Sequence, residues 1–312
     1  MKRRLSLSIP PLALLCLLAA AGRTTAPPAR DRVHAFDIAI TLDDLPWVGA
    51  LGPEDSRPAA MARVLAALER HHVPATGFVV CGRASDGRAL LRKWLAAGHE
   101  LGNHSVTHPH LDALTLEAWE REVCDCRDSL AVFTGSATRW FRYPFLQMAR
   151  TAGKRDSARA IVHSCGHEIA HVSVDTGEWA LVKPYVAALE DGDRARAAAI
   201  GRAYVEHLRA AIRHYRDVAA QRVGHDIDHV LLLHANALAA DHLDTLLAAI
   251  EEDGGRFVPL AQALADPVYQ RPDDYAGPIG LSWLYRFAPA ADSAWVWDNE
   301  QVQMMEERFP SE

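Results

Sequence analysis

The chain has 312 residues, 49% of them apolar and 23% charged, with a formal net charge of −7. That length and apolar share are enough for one large core or two smaller ones. The acidic balance, with no basic tract beyond the extreme N-terminus, argues against nucleic acid as a partner.

Lys2, Arg3 and Arg4 precede an apolar run from about Leu5 to Ala21, and small and polar residues follow it. Basic, then apolar, then small is the order of a secretory signal peptide, to which residues 1–26 are assigned. Pro10 and Pro11 break the run, leaving only Leu12 to Ala21 continuous, too short to span a bilayer. No membrane span is therefore expected after signal cleavage, and the protein is expected to be exported, to a periplasm or beyond the cell. Leu15 stands before Cys16 where a lipoprotein signal would carry a small residue. The chain shows no internal repeat and no low-complexity linker, so residues 27–266 read as one catalytic domain and 267–312 as a C-terminal extension packed on it. The sequence leaves the oligomeric state open. After the signal, Cys81, Cys124, Cys126 and Cys165 remain. In an oxidising compartment they admit any of three disulfide pairings. Cys124 and Cys126 lie too close together for the usual zinc-ligand gap and read as structural or disulfide cysteines.

Short apolar runs alternate with helical patterns. Phe36 to Thr41 predicts a strand, Met61 to Arg70 a helix, Thr76 to Val80 a strand, Leu90 to Ala97 a helix and Glu100 to Asn103 a short strand. A helix from about Leu116 to Val132 and a strand around Thr138 to Phe141 follow. Ile169 to Val174 and Val230 to Leu233 are further β-rich runs. Between them Ile200, Tyr204, Leu208, Ile212 and Tyr215 mark one stripe of a long amphipathic helix. A helix near Leu243 to Glu252 and a strand at Arg256 to Val258 complete the alternation. Roughly seven such units predict an α/β fold with a parallel sheet closed into a barrel. His163, His167 and His171 are assigned to a loop.

Chemistry-bearing residues recur after the strands. Asp43 and Asp44 follow the first, His104 and His108 the third, Arg142 the fourth, Glu178 and Trp179 the fifth, and His234 the sixth. In a β/α barrel these strand ends share one face, so residues far apart in sequence would meet in one cleft. Two imidazoles four residues apart can converge on a metal, and Gly102, Asn103 and Pro109 place the pair on a short turn leaving a strand. One of Asp43 and Asp44 can supply a third ligand. The other is then free to act on a water, since neighbours at a strand end point in opposite directions. A divalent metal acidifies water and polarises a carbonyl, and a nearby carboxylate can accept the proton. Arg142 can hold that carboxylate ionised, and His234, its pKa raised by Glu178, can protonate a leaving group. The set describes a metal-assisted hydrolase of an amide or ester.

Five ordered stretches, Thr41 to Asp44, His104 to His108, Arg142 to Phe145, Asp175 to Trp179 and Leu231 to His234, resemble the motifs of the polysaccharide deacetylases, carbohydrate esterase family 4. The similarity runs from about residue 35 to 265. It implies a distorted (β/α)7-type barrel that removes N-acetyl, or in some members O-acetyl, groups from glycans. By the same resemblance Asp43 is the general base, Asp44, His104 and His108 hold the metal, and Arg142 orients Asp43. The backbone N–H of Tyr143 helps hold the oxyanion, Pro144 shapes its loop, Trp179 walls the pocket, Leu232 lines the acetyl site and His234 is the general acid. The implied cofactor is a divalent metal, zinc ahead of cobalt, nickel or manganese. The implied partner is a glycan such as chitooligosaccharide, peptidoglycan or poly-N-acetylglucosamine.

Three departures stand out. Leu45 and Pro46 follow the two aspartates where the family has glycine, which alters the loop beside them. Glu178 replaces the Asp that ordinarily precedes Trp179. The extension from about Pro267, with Trp283, Tyr285, Phe287, Trp295 and Trp297, lies outside the shared core, and its aromatics are expected to anchor it rather than to stack on sugars. Two alternative functions are a same-fold hydrolase of a small non-sugar amide and a non-catalytic glycan-binding relative.

Overall fold

A computed structural model describes residues 35–287 and 294–310, excluding the side chains of 294–299. The proposed signal peptide lies outside the described residues. Every strand pairing is parallel. In chain order the elements are β1 (Phe36–Leu45), α1 (Arg57–Arg70), β2 (Thr76–Val79), α2 (Arg88–Ala96), β3 (Glu100–Asn103), α3 (Leu116–Thr134), β4 (Trp140–Phe141), α4 (Ala152–Ser164) and β5 (Glu168–Ile169). They continue with α5 (Val182–Glu190), α6 (Arg194–Val223), β6 (His229–His234), α7 (Ala237–Glu252), β7 (Gly255–Phe257), α8 (Leu260–Ala263) and α9 (Ala294–Arg308).

The sheet runs β5-β4-β3-β2-β1-β6, with β7 also on β1. A parallel bridge between Val174 and Leu231 ties the segment after β5 to β6, so the sheet curls round on itself. This is the distorted barrel the sequence predicts. β1 is buried along its whole length, and Ile38, Ala39, Ile40 and Leu42 are solvent-free. A strand covered on both faces reads as a largely apolar run, as β1 does from Ile38 to Leu42 apart from Thr41.

The long stripe forms as expected: Ile200, Tyr204, Leu208, Ile212 and Tyr215 are all buried along α6. Its N-terminus is capped by Asp193, whose side chain accepts from the Arg196 N–H, and Gly224 ends it in the left-handed conformation. β5 is shorter than the predicted strand. Its continuation passes from β4 to β6, the Ala170 N–H donating to Phe141 O at 2.8 Å and the Ser173 N–H to Val230 O at 3.2 Å. It is met by the C-terminal segment, where the N–H of Trp283 donates to Val172 O at 2.7 Å and Ser282 Oγ to Ser173 O at 2.7 Å. Trp283, Leu284 and Tyr285 are buried there. Trp295 and Trp297 have side chains outside the described residues.

The disulfides are Cys81–Cys126 and Cys124–Cys165. Residues two apart on a helix face different directions. Cys126 of α3 therefore reaches back to the end of β2, while Cys124 reaches the end of α4. His163 lies in α4 rather than in a loop, and His167 is buried, its Nδ1 2.8 Å from Thr138 O.

Candidate active site

Asp43, Asp44, His104, Arg142, Glu178 and His234 all come to the C-terminal end of the sheet. β1 and β6 pair in a register that sets Asp43 beside His234 and Thr41 beside Leu232. The residues that follow the strands are held by local hydrogen bonds. Asn103 ends β3, and its side-chain oxygen accepts from the Ser105 N–H at 2.8 Å while its amide donates to Val123 O at 2.8 Å. Ser105 Oγ then accepts from the His108 N–H at 3.0 Å, closing the turn. Asp44, Ser105 and His108 all have positive φ, at 64°, 66° and 61°. Non-glycine residues rarely adopt that conformation, and such strain concentrates where side chains must be aimed. The Leu45–Pro46 peptide at the end of β1 is cis.

Asp44, His104 and His108 offer three ligand atoms within 4.8 Å of one another, the one such cluster among the described residues. His104 Nδ1 donates to Arg142 O at 2.9 Å, which leaves Nε2 as its free lone pair. Burial pushes the His104 imidazole down to about 3, with the His108 charge adding to it, and burial also lowers His108. Both rings are thus neutral at ordinary pH, the form that binds metal. Two neutral imidazoles and one carboxylate fit a divalent ion such as zinc with a position left open.

Asp43 makes the opposite kind of contact. Arg142 is fully buried and its Nη1 donates to Asp43 Oδ1 at 2.7 Å and to Thr41 Oγ1 at 2.7 Å. Thr41 Oγ1 in turn donates to Leu231 O at 2.6 Å. The guanidinium also lies over the Phe78 ring at 4.0 Å, which fixes its plane. Asp43 Oδ2 lies 3.6 Å from His104 Nε2, so this carboxylate borders the Asp44, His104 and His108 cluster while being oriented by Arg142.

Across the cleft, Glu178 is solvent-free and accepts from His234 twice, through Nδ1 at 3.1 and 3.2 Å and through the backbone N–H at 3.0 Å. The Asp-to-Glu departure therefore keeps the contact. Burial alone would lower His234, but the Glu178 charge and hydrogen bond outweigh it and raise the pKa to about 9, helped by Asp43 and Asp44. With Nδ1 bonded to Glu178, Nε2 is the nitrogen left to exchange a proton.

Around the rim, Trp179 and Phe145 are large and half-exposed, and Leu232 is buried below. Pro144 opens the turn after Arg142, and Phe145 and Leu146 within it have φ of 57° and 53°. Tyr143, expected to contribute its backbone, sends its side chain away into a second core, stacked on Trp119 at 5.2 Å. Three neighbours were not anticipated. Arg83 pairs with Asp44 at 3.3 Å, His110 stacks on Phe145 at 3.9 Å, and the carboxyl of Asp175 is raised by burial, with the His234 charge opposing and Glu178 adding to it. Asp175 was readable from its place before Glu178. Arg83 and His110 carried no spacing signal.

The polysaccharide deacetylase family model matches residues 30–170. A chitooligosaccharide deacetylase of Sinorhizobium fredii is 31% identical over 163 residues, covering 52% of this chain and 67% of that one. The chain is a member of the polysaccharide deacetylase family. Coverage of other relatives is partial: it spans 39% of a Rhizobium leguminosarum chitooligosaccharide deacetylase at 37% identity, and 26% of a Listeria monocytogenes peptidoglycan-N-acetylglucosamine deacetylase at 28%. Among solved folds, a Bacillus cereus polysaccharide deacetylase superposes with a TM-score of 0.52 at 18% identity, covering 72% of this chain and 91% of that one. A Bacillus anthracis family 4 pseudoenzyme gives 0.50 at 21%, covering 73% and 64%. These two likenesses describe the polysaccharide deacetylase fold.

Proposed function

We propose that this polysaccharide deacetylase family member is an exported, metal-dependent hydrolase that removes N-acetyl groups, or O-acetyl groups, from a glycan. The observation that carries the reading is the opposition of two proton-handling groups across one metal-fitting cluster: Asp43 held by Arg142 on one side, His234 held by Glu178 on the other. A binding module has no need of that pair. The names of relatives point to chitooligosaccharide and peptidoglycan as substrates to try. Export rests on the basic, apolar and small order of residues 1–26.

Asp44, His104 and His108 would hold the ion. When bound, it would acidify a water and polarise the acetyl carbonyl. Asp43, aimed by the buried Arg142, takes the proton from the water. A backbone N–H of the turn beginning at Tyr143 donates to the oxygen on which charge develops. His234, charged through its contact with Glu178, gives the Nε2 proton to the departing amine. Trp179 and Leu232 wall the acetyl side.

Acetate release from N-acetylglucosamine oligomers and from peptidoglycan fragments, before and after chelation and then with zinc restored, tests the reading. Release that stops on chelation and returns with zinc supports it. Release indifferent to chelation, or none from any glycan with zinc bound, rejects it.

A further inference from the structure

Beside the Tyr143 turn lies a cavity of about 20 Å3 lined by Tyr143, His171, Trp283 and Arg286 together with apolar side chains. Two of its polar walls, Arg286 and Tyr143, carry donors left without acceptors, while the Trp283 Nε1–H is already given to Val268 O. Arg286 is 2% exposed, yet its Nε and Nη1 have no hydrogen-bond partner, and the buried Tyr143 hydroxyl has none either. Only Nη2 of Arg286 is occupied, by Asp273 at 2.8 Å and Tyr275 O at 3.2 Å. Unpartnered buried donors are costly, and a buried charge more so.

The local charge is unbalanced in the same sense. Asp273 is a solvent-free carboxylate shared between two guanidiniums, Arg286 and Arg159, the latter at 2.6 Å. No acidic side chain lines the cavity. Burial and the charges of Arg286, Arg159 and Arg142 hold the fourth polar wall, His171, well below its ordinary pKa, so it stays a neutral ring. Burial raises the Tyr143 phenol, which therefore keeps its proton and can donate. A space of this size holds one occupant of about water size. A water would have to give two hydrogens to walls that offer mostly donors, whereas an anion takes all three donors and offsets the spare positive charge.

We propose that this cavity is a binding site for a single small monovalent anion of halide size, held by Arg286 Nε and Nη1 and by the Tyr143 hydroxyl. The site joins the C-terminal segment, through Arg286, to the turn that follows Arg142. Its occupancy does not depend on the hydrolase reading.

The test uses the full chain and bromide. Crystals grown in bromide should show an anomalous peak within hydrogen-bond reach of Arg286 Nε and Nη1. In solution, replacing chloride by gluconate at constant ionic strength should lower the thermal midpoint, and chloride or bromide should restore it along a saturating curve. Tyr143→Phe keeps the ring on Trp119 and removes one donor, so it should fold and raise the half-saturating halide concentration about tenfold. Arg286→Lys should lose the halide response, and if it fails to fold the Tyr143→Phe comparison stands in its place. An ordered water at the site in saturating bromide, with no anomalous peak, overturns the proposal, as does a halide response unchanged in Tyr143→Phe.

Discussion

On one wall of the cleft His104 is stripped of water and its Nδ1 is bonded to a backbone carbonyl; on the other His234 is nearly as enclosed but both oxygens of Glu178 face its Nδ1. The first ring falls to about 3 and the second rises to about 9. Burial acts alike on both, so the partner at Nδ1 decides which ring is neutral and which is charged at ordinary pH. Asp43 and Asp44 repeat the lesson in carboxylates. They are adjacent in sequence, yet one is held by the buried Arg142 and the other faces His108 at 3.7 Å.

Removing a ligand tests the first wall most severely. His104→Ala should lose stoichiometric metal and bring deacetylation down to background, a fall of about 10³-fold or more. Metal content by atomic emission, measured beside acetate release, checks it. A variant that keeps full zinc would remove His104 from the ligand set.

Asp43→Asn should keep the metal and lose about 10²- to 10⁴-fold in kcat, as expected for loss of a general base. Loss of metal in this variant would mean that the two aspartates exchange roles. Glu178→Gln should cost about 10- to 100-fold, the usual range for the partner of a functional histidine. In the metal-free protein the His234 imidazole should then titrate well below about 9, since only the charges of Asp43 and Asp44 are left to oppose burial. An NMR titration of the ring reads this directly, and a value still near 9 would assign the raised pKa to something other than Glu178.

The smallest effect is on stability, and the two walls should give it opposite signs. His104 is lowered on folding, so its contribution is present above the ordinary histidine pKa of 6.5 and is lost as pH falls toward about 3. His234 is raised on folding, so its contribution is present below 6.5 and is lost as pH rises through about 9. Chemical denaturation of the metal-free protein should therefore show a maximum near pH 6.5. The alkaline decline should approach roughly 3 kcal/mol at about 1.4 kcal/mol per pH unit. Glu178→Gln should flatten the alkaline limb.

Much of this arrangement was legible from residue pattern. The strand from Glu100 to Asn103 has the predicted ends, and the α6 stripe is buried as its spacing required. The helix α4 was missed because its inward positions are Arg155, Ala158 and Val162, too thin an apolar stripe to mark a face. α5 was missed because Pro184 stands in its first turn amid a short apolar run. At the site, the residues on strand ends were found because they recur in phase. Arg83 was not, because it is placed by a short turn that the Cys81–Cys126 disulfide ties to α3, a contact between residues 45 apart. The pairing itself depends on which way α3 turns its two cysteines, which follows only once α4 is known.

The segment after Asp273 has a practical consequence for anyone shortening this chain. Its Gly280 lies so close to the Phe145 carbonyl that an added Cβ would fall 1.7 Å from that oxygen, and the Gly277 N–H donates to Ala149 O at 3.1 Å. A clone ending where similarity to relatives fades would thus strip the outer support from the loop that follows Arg142. It would also bare the apolar flank beside β5 now covered by Trp283 and Leu284. A minimal fragment meant for assay or crystallisation has to run at least through Phe287.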